Sequence, residues 1–562
     1  MAVISGAAGN DSLHGTAGRD TIAGNAGRDT LNAGRGSDSV HGGPGPDVLI
    51  WDQDPASRGN LDIYQGGNAG ERYDPDPYGA LSGGDRLHLN GGGGFRVTFT
   101  TTEHGHAQDA FGNRLNFWGI ERLQTGAGND WISAQGARLN AARGSGADHT
   151  PVHGVTINSG GGHDYLHGGP GNDVLEGGNG NDSIYGGNGN DLLMPSQGND
   201  FGHAGAGDDN VRWGNNGGMA PIHNIGRDTL VGGAGNDLLN VWAKGDGENS
   251  TGAHVVFTGR GAGHASYAPG NGTLTFREFE LFWTHEGRDT VTAANAAIGL
   301  NAPGLHINTR WGDDRITGSA GRDTIEGGEG ADTINGGRGN DFISMTEDVY
   351  AANGALAARD TARDVLILND GFGTDTIRAF QVGDMRDAGG VLRLGDRLNV
   401  SGLHDAQGNR VDLGDVRVSA QGANAVLSFP NGERLILEGV DAAVLTRAML
   451  HQMGIPQPAA QEGRAAAPAL RAAQAEPDAA PQAAALAADA DPGLAKAQAD
   501  AAQVAADDPG ASDTGWFAAG PADAADWNPG ALLDLYRQQL PQDGQTALEA
   551  LAQADGLHFD WG

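Results

Sequence analysis

The 562-residue sequence predicts an all-β fold, a parallel β-roll, and three observations predict it. Asp recurs every nine residues in long unbroken runs. An apolar residue follows each Asp by two places. Gly, 97 residues in all, is concentrated just ahead of each Asp. A unit of this order divides into a six-residue turn, GGxGxD, and a three-residue strand, xUx with U apolar. Two units then close one coil, so residues 18 apart stack.

The first block is residues 1–50. Residues 6–50 divide into GAAGNDSLH, GTAGRDTIA, GNAGRDTLN, AGRGSDSVH and GGPGPDVLI, with Asp11, Asp20, Asp29, Asp38 and Asp47 in register and Leu13, Ile22, Leu31, Val40 and Leu49 in the apolar slot. A β-rich insert is expected over 51–158. The second block, 159–240, carries Asp164, Asp173, Asp182, Asp191, Asp200 and Asp209, then Asp228 and Asp237 after a longer gap. Within it PSQGNDFGH (195–203) departs from the pattern, with Gly202 where Leu or Ile belongs. A second insert spans 241–307, and the third block, 308–344, carries Asp314, Asp323, Asp332 and Asp341. Single copies stand at Asp130 (TGAGNDWIS) and Asp289 (HEGRDTVT).

The inserts are copies of one another. FWGIERLQTGAGNDWISA (117–134) aligns with FREFELFWTHEGRDTVTA (276–293), setting Glu121 against Glu280, and GVTIN (154–158) matches GLHIN (304–308). Both inserts alternate apolar and polar residues, as short strands do. From 345 to 455 a β-rich domain is expected, with DTIRAF, GDRLNV, DVRVSA and NAVLSF as strands and LTRAMLHQM (445–453) as a closing helix. Residues 456–515 are Ala/Pro-rich and have the composition of a linker. Residues 516–562 form an acidic tail with a helix start at Asn528-Pro529.

The composition narrows the chemistry. The net charge of −36 repels nucleic acid and anionic membranes and attracts cations. There is no Cys, so neither a disulfide nor a thiolate site exists. No stretch is long and apolar enough to span a bilayer, and the first residues lack the basic and apolar regions of a cleaved leader. Stacked Asp carboxylates with turn carbonyls make an all-oxygen cage, which suits the flexible coordination of Ca²⁺. Mg²⁺ keeps its waters, and Zn²⁺ or Cu²⁺ would need nitrogen or sulfur. The metal candidates are Asp11, Asp20, Asp29, Asp38, Asp47, Asp164, Asp173, Asp182, Asp191, Asp200, Asp209, Asp228, Asp237, Asp314, Asp323, Asp332 and Asp341. Pairs 18 apart inside the unbroken runs give nine expected inter-coil sites. One buried aliphatic side chain per nine residues falls short of the backbone entropy lost, so folding and Ca²⁺ binding are expected to be one event.

These nonapeptides resemble those of the RTX, or haemolysin-type calcium-binding, family, over about residues 6–50, 125–133, 159–240 and 285–344. The resemblance implies a Ca²⁺-bound roll. It also implies a protein secreted through a type I channel under an uncleaved C-terminal signal, and folding outside the cell. Residues 345–455 are similar to the β-rich segment that follows the last repeat in many such proteins.

No effector motif stands out. HExxH, G-x-S-x-G and GxxxxGK[ST] are all missing, and only two Lys, Lys244 and Lys496, occur. His104, His106 and Asp109 have metal-like spacing but are expected in an exposed loop. Glu121 and Glu280 are expected to serve structure or to lie beside calcium, and Phe117, Trp118, Phe282 and Trp283 to cover the core. The expectation is a secreted, extracellular or surface-associated protein without catalysis, in a structural, adhesive or matrix role. A surface or extracellular polysaccharide is one conceivable partner. The alternative is a secreted enzyme acting on an extracellular polymer from the inserts.

Overall fold

The computed structural model describes residues 1–67, 84–139, 153–214, 224–242, 251–268, 271–346, 362–386 and 392–458. All belong to the first of two compact units, Met1–Ala505. The expected linker beyond 458 and the acidic tail at 516–562 lie outside the described residues.

The chain winds as a parallel β-roll of two sheets, one of 20 strands and one of 18. Each nonapeptide contributes one short strand, and alternate strands go to alternate sheets. Thr21–Ala23 pairs in parallel with Val3–Ser5 and with Ser39–His41, while Ser12–His14 pairs with Thr30–Asn32 in the other sheet. The register is the predicted 18, as in Leu13 against Leu31 and Ile184 beside Leu166. The central residue of each strand points inward. Ile22, Leu31, Val40, Leu49, Leu166, Leu175, Ile184, Leu193, Ile325 and Ile334 are all fully buried in one continuous core.

Glycine serves two kinds of turn position. In the turn 177–182, Gly178 and Gly180 have φ of 95° and 142°, a region costly for residues with a Cβ. Gly177 has ordinary φ, but a Cβ there would lie 2.5 Å from Asp182 Oδ2 and 2.8 Å from the Pro195 carbonyl oxygen. Pro195 and Gly202, where PSQGNDFGH departs from the repeat, do not interrupt the roll. Phe201–Ala206 pairs with both neighbouring coils, and Gly202 leaves space that Leu230 approaches.

Among the described residues, both inserts are built into the roll. Each adds a three-stranded antiparallel meander to the 20-stranded sheet. In the first, Arg114–Trp118 pairs in parallel with the preceding coil at Leu61–Gln65, His104–Gln108 lies antiparallel in the middle, and Arg96–Thr101 pairs in parallel with the next coil at Trp131–Ser133. The second repeats this arrangement with Gly272–Arg277, Ala262–Tyr267 and Thr251–Gly259, between Arg227–Ala234 and Arg288–Thr292. Both meanders carry aromatic packing. Phe99 meets Phe117 at 5.4 Å and Phe257 meets Phe276 at 5.4 Å, both edge to face. His104 and His106 therefore lie on a strand, not in the expected loop. Phe117 and Phe282 are buried, and Trp118 and Trp283 are half-buried.

After the third block the roll continues through Val365–Asn369, Thr374–Arg378 and Arg397–Gly402. An antiparallel hairpin, Arg417–Gln421 with Asn424–Ser428, then joins the 18-stranded sheet through Arg434–Leu437. The helix Arg447–Gln452, capped by the Thr446 hydroxyl on the Met449 N–H, buries Leu450 at this end. Ile184→Ala is expected to destabilise the Ca²⁺-loaded protein by about 2–5 kcal/mol, because a buried aliphatic is removed from a packed stack. Urea unfolding in Ca²⁺ measures this, and an unchanged midpoint would contradict the packing described.

Candidate metal centre

Each repeat Asp stands at the end of its turn, one residue ahead of its strand or, at Asp173, Asp228 and Asp323, as the strand's second residue, on a narrow edge of the roll. Its position is set by a hydrogen bond. The backbone N–H of one Asp donates to Oδ1 of the Asp in the next coil, as in Asp164 to Asp182 at 2.9 Å, Asp173 to Asp191 at 2.8 Å and Asp191 to Asp209 at 2.7 Å. The two edges carry three such ladders each.

On the edge leading into the 20-stranded sheet, one ladder runs through Asp20, Asp38 and Asp62. A second runs through Asp130, Asp164, Asp182, Asp200 and Asp228. A third runs through Asp289, Asp314, Asp332, Asp364 and Asp396. On the opposite edge, Asp11, Asp29, Asp47 and Asp85 form one ladder. Asp173, Asp191, Asp209 and Asp237 form the next, and Asp323, Asp341 and Asp375 the last. All seventeen candidate Asp residues thus fall into ladders.

The steps are not all 18 residues long. Asp62, Asp85, Asp130, Asp289, Asp364, Asp375 and Asp396 were missing from the candidates, because loops lengthen their coils to between 24 and 38 residues. The sequence does hold a signal for them. Each is followed two places later by a core residue: Tyr64, Leu87, Ile132, Val291, Leu366, Ile377 and Leu398. Glu121 and Glu280, aligned by the duplication, end two ladders. Glu121 Oε2 accepts the Asp85 N–H at 2.6 Å, and Glu280 Oε2 accepts the Asp237 N–H at 3.0 Å.

The second carboxylate oxygen marks where a cation fits. Oδ2 of Asp29, Asp38, Asp173, Asp182, Asp191, Asp209, Asp237 and Asp341 is buried and meets no protein donor. A buried charged oxygen without a partner is costly. In most of these repeats Oδ2 faces the first Gly of its own turn, and a carbonyl of the next coil converges on the same place. At Gly6 a Cβ would lie 2.6 Å from Asp11 Oδ2 and 2.5 Å from the Gly24 carbonyl oxygen. The donor set is therefore carboxylate and carbonyl oxygen from successive coils, the hard-oxygen set that suits Ca²⁺. No three His, Cys, Asp or Glu side chains cluster among the described residues, in keeping with cradles made of carboxylates and main-chain carbonyls. His104, His106 and Asp109 do not gather as a metal site. Asp109 instead closes its own turn by accepting the Phe111 and Asn113 N–H groups.

Electrostatics point the same way. Burial pushes the Asp182 carboxyl up to about 8, with the Asp164 charge adding to it. Burial also pushes Asp191 up to about 8 and Asp209 up to about 7. A cation between the coils offsets this repulsion and desolvation.

A family model described as the RTX calcium-binding nonapeptide repeat (4 copies) matches residues 3–27, 14–49, 116–137, 158–193, 224–243 and 309–343. The chain carries these repeats, and their ion is Ca²⁺. No curated protein matches the chain. Among solved structures, the extracellular lipase LipA of Serratia marcescens aligns at 19% identity with a TM-score of 0.18, covering 52% of this chain and 44% of the lipase. The chain thus spans less than half the length of that enzyme.

Two outcomes follow. Unfolded carboxylates titrate near 3.9, and the folded ones titrate several units higher. The metal-free folded state is therefore favoured most below about pH 4, and that advantage is lost as pH rises through about 8. In chelator, circular dichroism should show more β structure at pH 5 than at pH 8, and the reverse order would contradict the burial described. Gly177→Ala should raise the Ca²⁺ midpoint of folding about tenfold, or about 1.4 kcal/mol, in a titration followed by the same signal. An unaltered midpoint would show that the cradle tolerates a Cβ.

Proposed function

We propose that the chain is a secreted Ca²⁺-dependent scaffold, with a structural, adhesive or matrix role and no catalytic site. In this reading the ladder Asp residues are the metal ligands. Each ion takes Asp Oδ2 atoms and turn carbonyls such as that of Gly24. The ion supplies positive charge that lets buried carboxylates stack, and the chain supplies a preset cradle for it. The seventeen repeat Asp residues and the further Asp residues of the ladders share this role.

The observation that carries the reading is continuity. Ladder steps run from the Ala2 N–H, which donates to Asp20, as far as Asp396, and both inserts are built into the same sheet rather than standing apart as modules. A solenoid with this layout offers long repetitive faces, which suit binding to an extended partner such as a surface polysaccharide. Secretion and passage through a type I machinery are supported by the family to which the repeats are matched. Among the described residues no helix is long and apolar enough to cross a membrane. Low cytosolic Ca²⁺ would keep such a chain unfolded for export, and external Ca²⁺ would fold it.

The test is a Ca²⁺ titration of the purified chain followed by circular dichroism, with Mg²⁺ as control. The β signal is expected to appear cooperatively with Ca²⁺, to stay absent with Mg²⁺, and to vanish in excess chelator. A full β signal in chelator at neutral pH would overturn the reading.

A further inference from the structure

On the edge that leads into the 18-stranded sheet, the ladder is broken at the second insert. Glu280 ends one ladder, Leu305 stands where an Asp would precede the core residue Ile307, and Asp323 begins the next. A cleft of about 410 Å³ opens there, lined in part by Arg260, Glu280, Leu281, His306, Arg322 and Phe342. Arg260 and Arg322 are exposed, and neither side chain forms a hydrogen bond or ion pair among the described residues. The acidic groups at the cleft are engaged elsewhere. Glu280 is half-buried with one oxygen on the Asp237 N–H, and Asp323 is buried and accepts the Ser319 and Leu305 N–H groups. In a chain of net charge −36, two cations without a carboxylate partner stand at one cleft.

The cleft continues onto the outer face of the sheet. Leu281 and Trp283 lie two apart on one strand, on either side of the buried Phe282, so both point outward, about 7 Å apart along the strand. Arg310 lies over the Trp283 ring at 5.3 Å and over the Trp311 ring at 4.6 Å. All three are half-buried. Arg310 holds a φ of 62°, a conformation costly for a residue with a Cβ.

The first insert supplies a comparison within the chain. The two copies share a register, with Arg122 beside Thr156 in one and Leu281 beside His306 in the other. Yet Thr102, Gln124, Thr156, Gly160, Gly161 and Asn172 stand where the second copy has Arg260, Trp283, His306, Arg310, Trp311 and Arg322. The first copy does carry one cation here, Arg122 at the place of Leu281, and it is buried. The coils close equally well in both copies, so the fold does not require the exposed cations and rings of the second.

We propose that this face of the second insert binds an acidic polysaccharide, one that carries uronate carboxylates. Arg260 and Arg322 receive the carboxylate, and the indoles of Trp283 and Trp311, oriented by Arg310, meet the C–H faces of the sugar rings. Glu280 accepts sugar hydroxyls. A ligand that bears hydroxyls as well as a carboxylate suits this mixture of donors and acceptors, whereas Glu280 would repel a free phosphate or an acidic peptide. The proposal deepens the scaffold reading and rests on it, because the face is assembled only in the folded roll.

The test is isothermal titration calorimetry on the full chain in saturating Ca²⁺. The ligands are tetragalacturonate and a hyaluronan tetrasaccharide, with cellotetraose as the neutral control and tetraglutamate as the acidic peptide. At least one uronate oligomer is expected to bind and neither control to do so. Arg260→Thr with Arg322→Asn, which installs the residues of the first copy, should weaken binding about tenfold or more, as loss of hydrogen bonds to a charged group does. Trp283→Gln, again the first copy's residue, should weaken it independently. On the parent alone, added NaCl should also weaken binding, since the cations are exposed. An affinity indifferent to salt, an unchanged affinity in the folded double variant, or equal binding of either control overturns the proposal. Circular dichroism of the same samples separates the two readings. A parent that gains no β structure with Ca²⁺ overturns the scaffold reading, whereas a folded parent that ignores both uronate oligomers overturns this proposal alone.

Discussion

The roll depends on a buried carboxylate that serves two masters. One oxygen of each ladder Asp after Asp11 receives a main-chain N–H from the coil before it, and this bond fixes the spacing of the coils at their turning edges. The other oxygen is carried into the interior by the same geometry. Strand pairing alone would tolerate many residues at this position, but the ladder requires an acceptor whose second oxygen is also satisfied. The Asp period and the need for a cation are therefore one constraint seen from two sides.

That constraint explains why long loops do not break the fold. The step from Asp47 to Asp85 spans 38 residues and the step from Asp332 to Asp364 spans 32, yet each makes the same N–H to Oδ1 bond as an 18-residue step. What is conserved along the roll is the entry and exit of each coil, and chain between them is free to lengthen. The meanders use the same freedom on a larger scale. Their outer strands run parallel to the neighbouring coils, so the antiparallel strand at the centre is enclosed within the sheet and exposes no new edge.

Much of this was legible in the sequence, and what was not has a physical cause. The Asp period gave the 18-residue register, the inward Leu and Ile and the membership of each block. It did not reveal Asp62, Asp85, Asp364, Asp375 or Asp396, because a periodic reading loses register once a loop intervenes. The pairing D-x-U around each survives, since it is set by one turn and one strand and not by coil length. The duplication pointed to Glu121 and Glu280, but their role as ladder ends depends on which backbone N–H they meet, and that is a property of the assembled coils. The place of His104 and His106 on a strand was missed because HGHAQ has no alternation of apolar and polar residues to mark it.

The distribution of apolar packing completes the picture. An interior coil buries its two inward aliphatic side chains, such as Ile184 and Leu193, and carries a ladder step at each edge. The first meander buries Val97, Phe99, Ala107, Leu115 and Phe117 within a short stretch, a concentrated apolar contribution to its packing. In a solenoid, stability is close to a sum over neighbouring units. Apolar burial is thus concentrated in the meanders, and the Asp ladders run on either side of them.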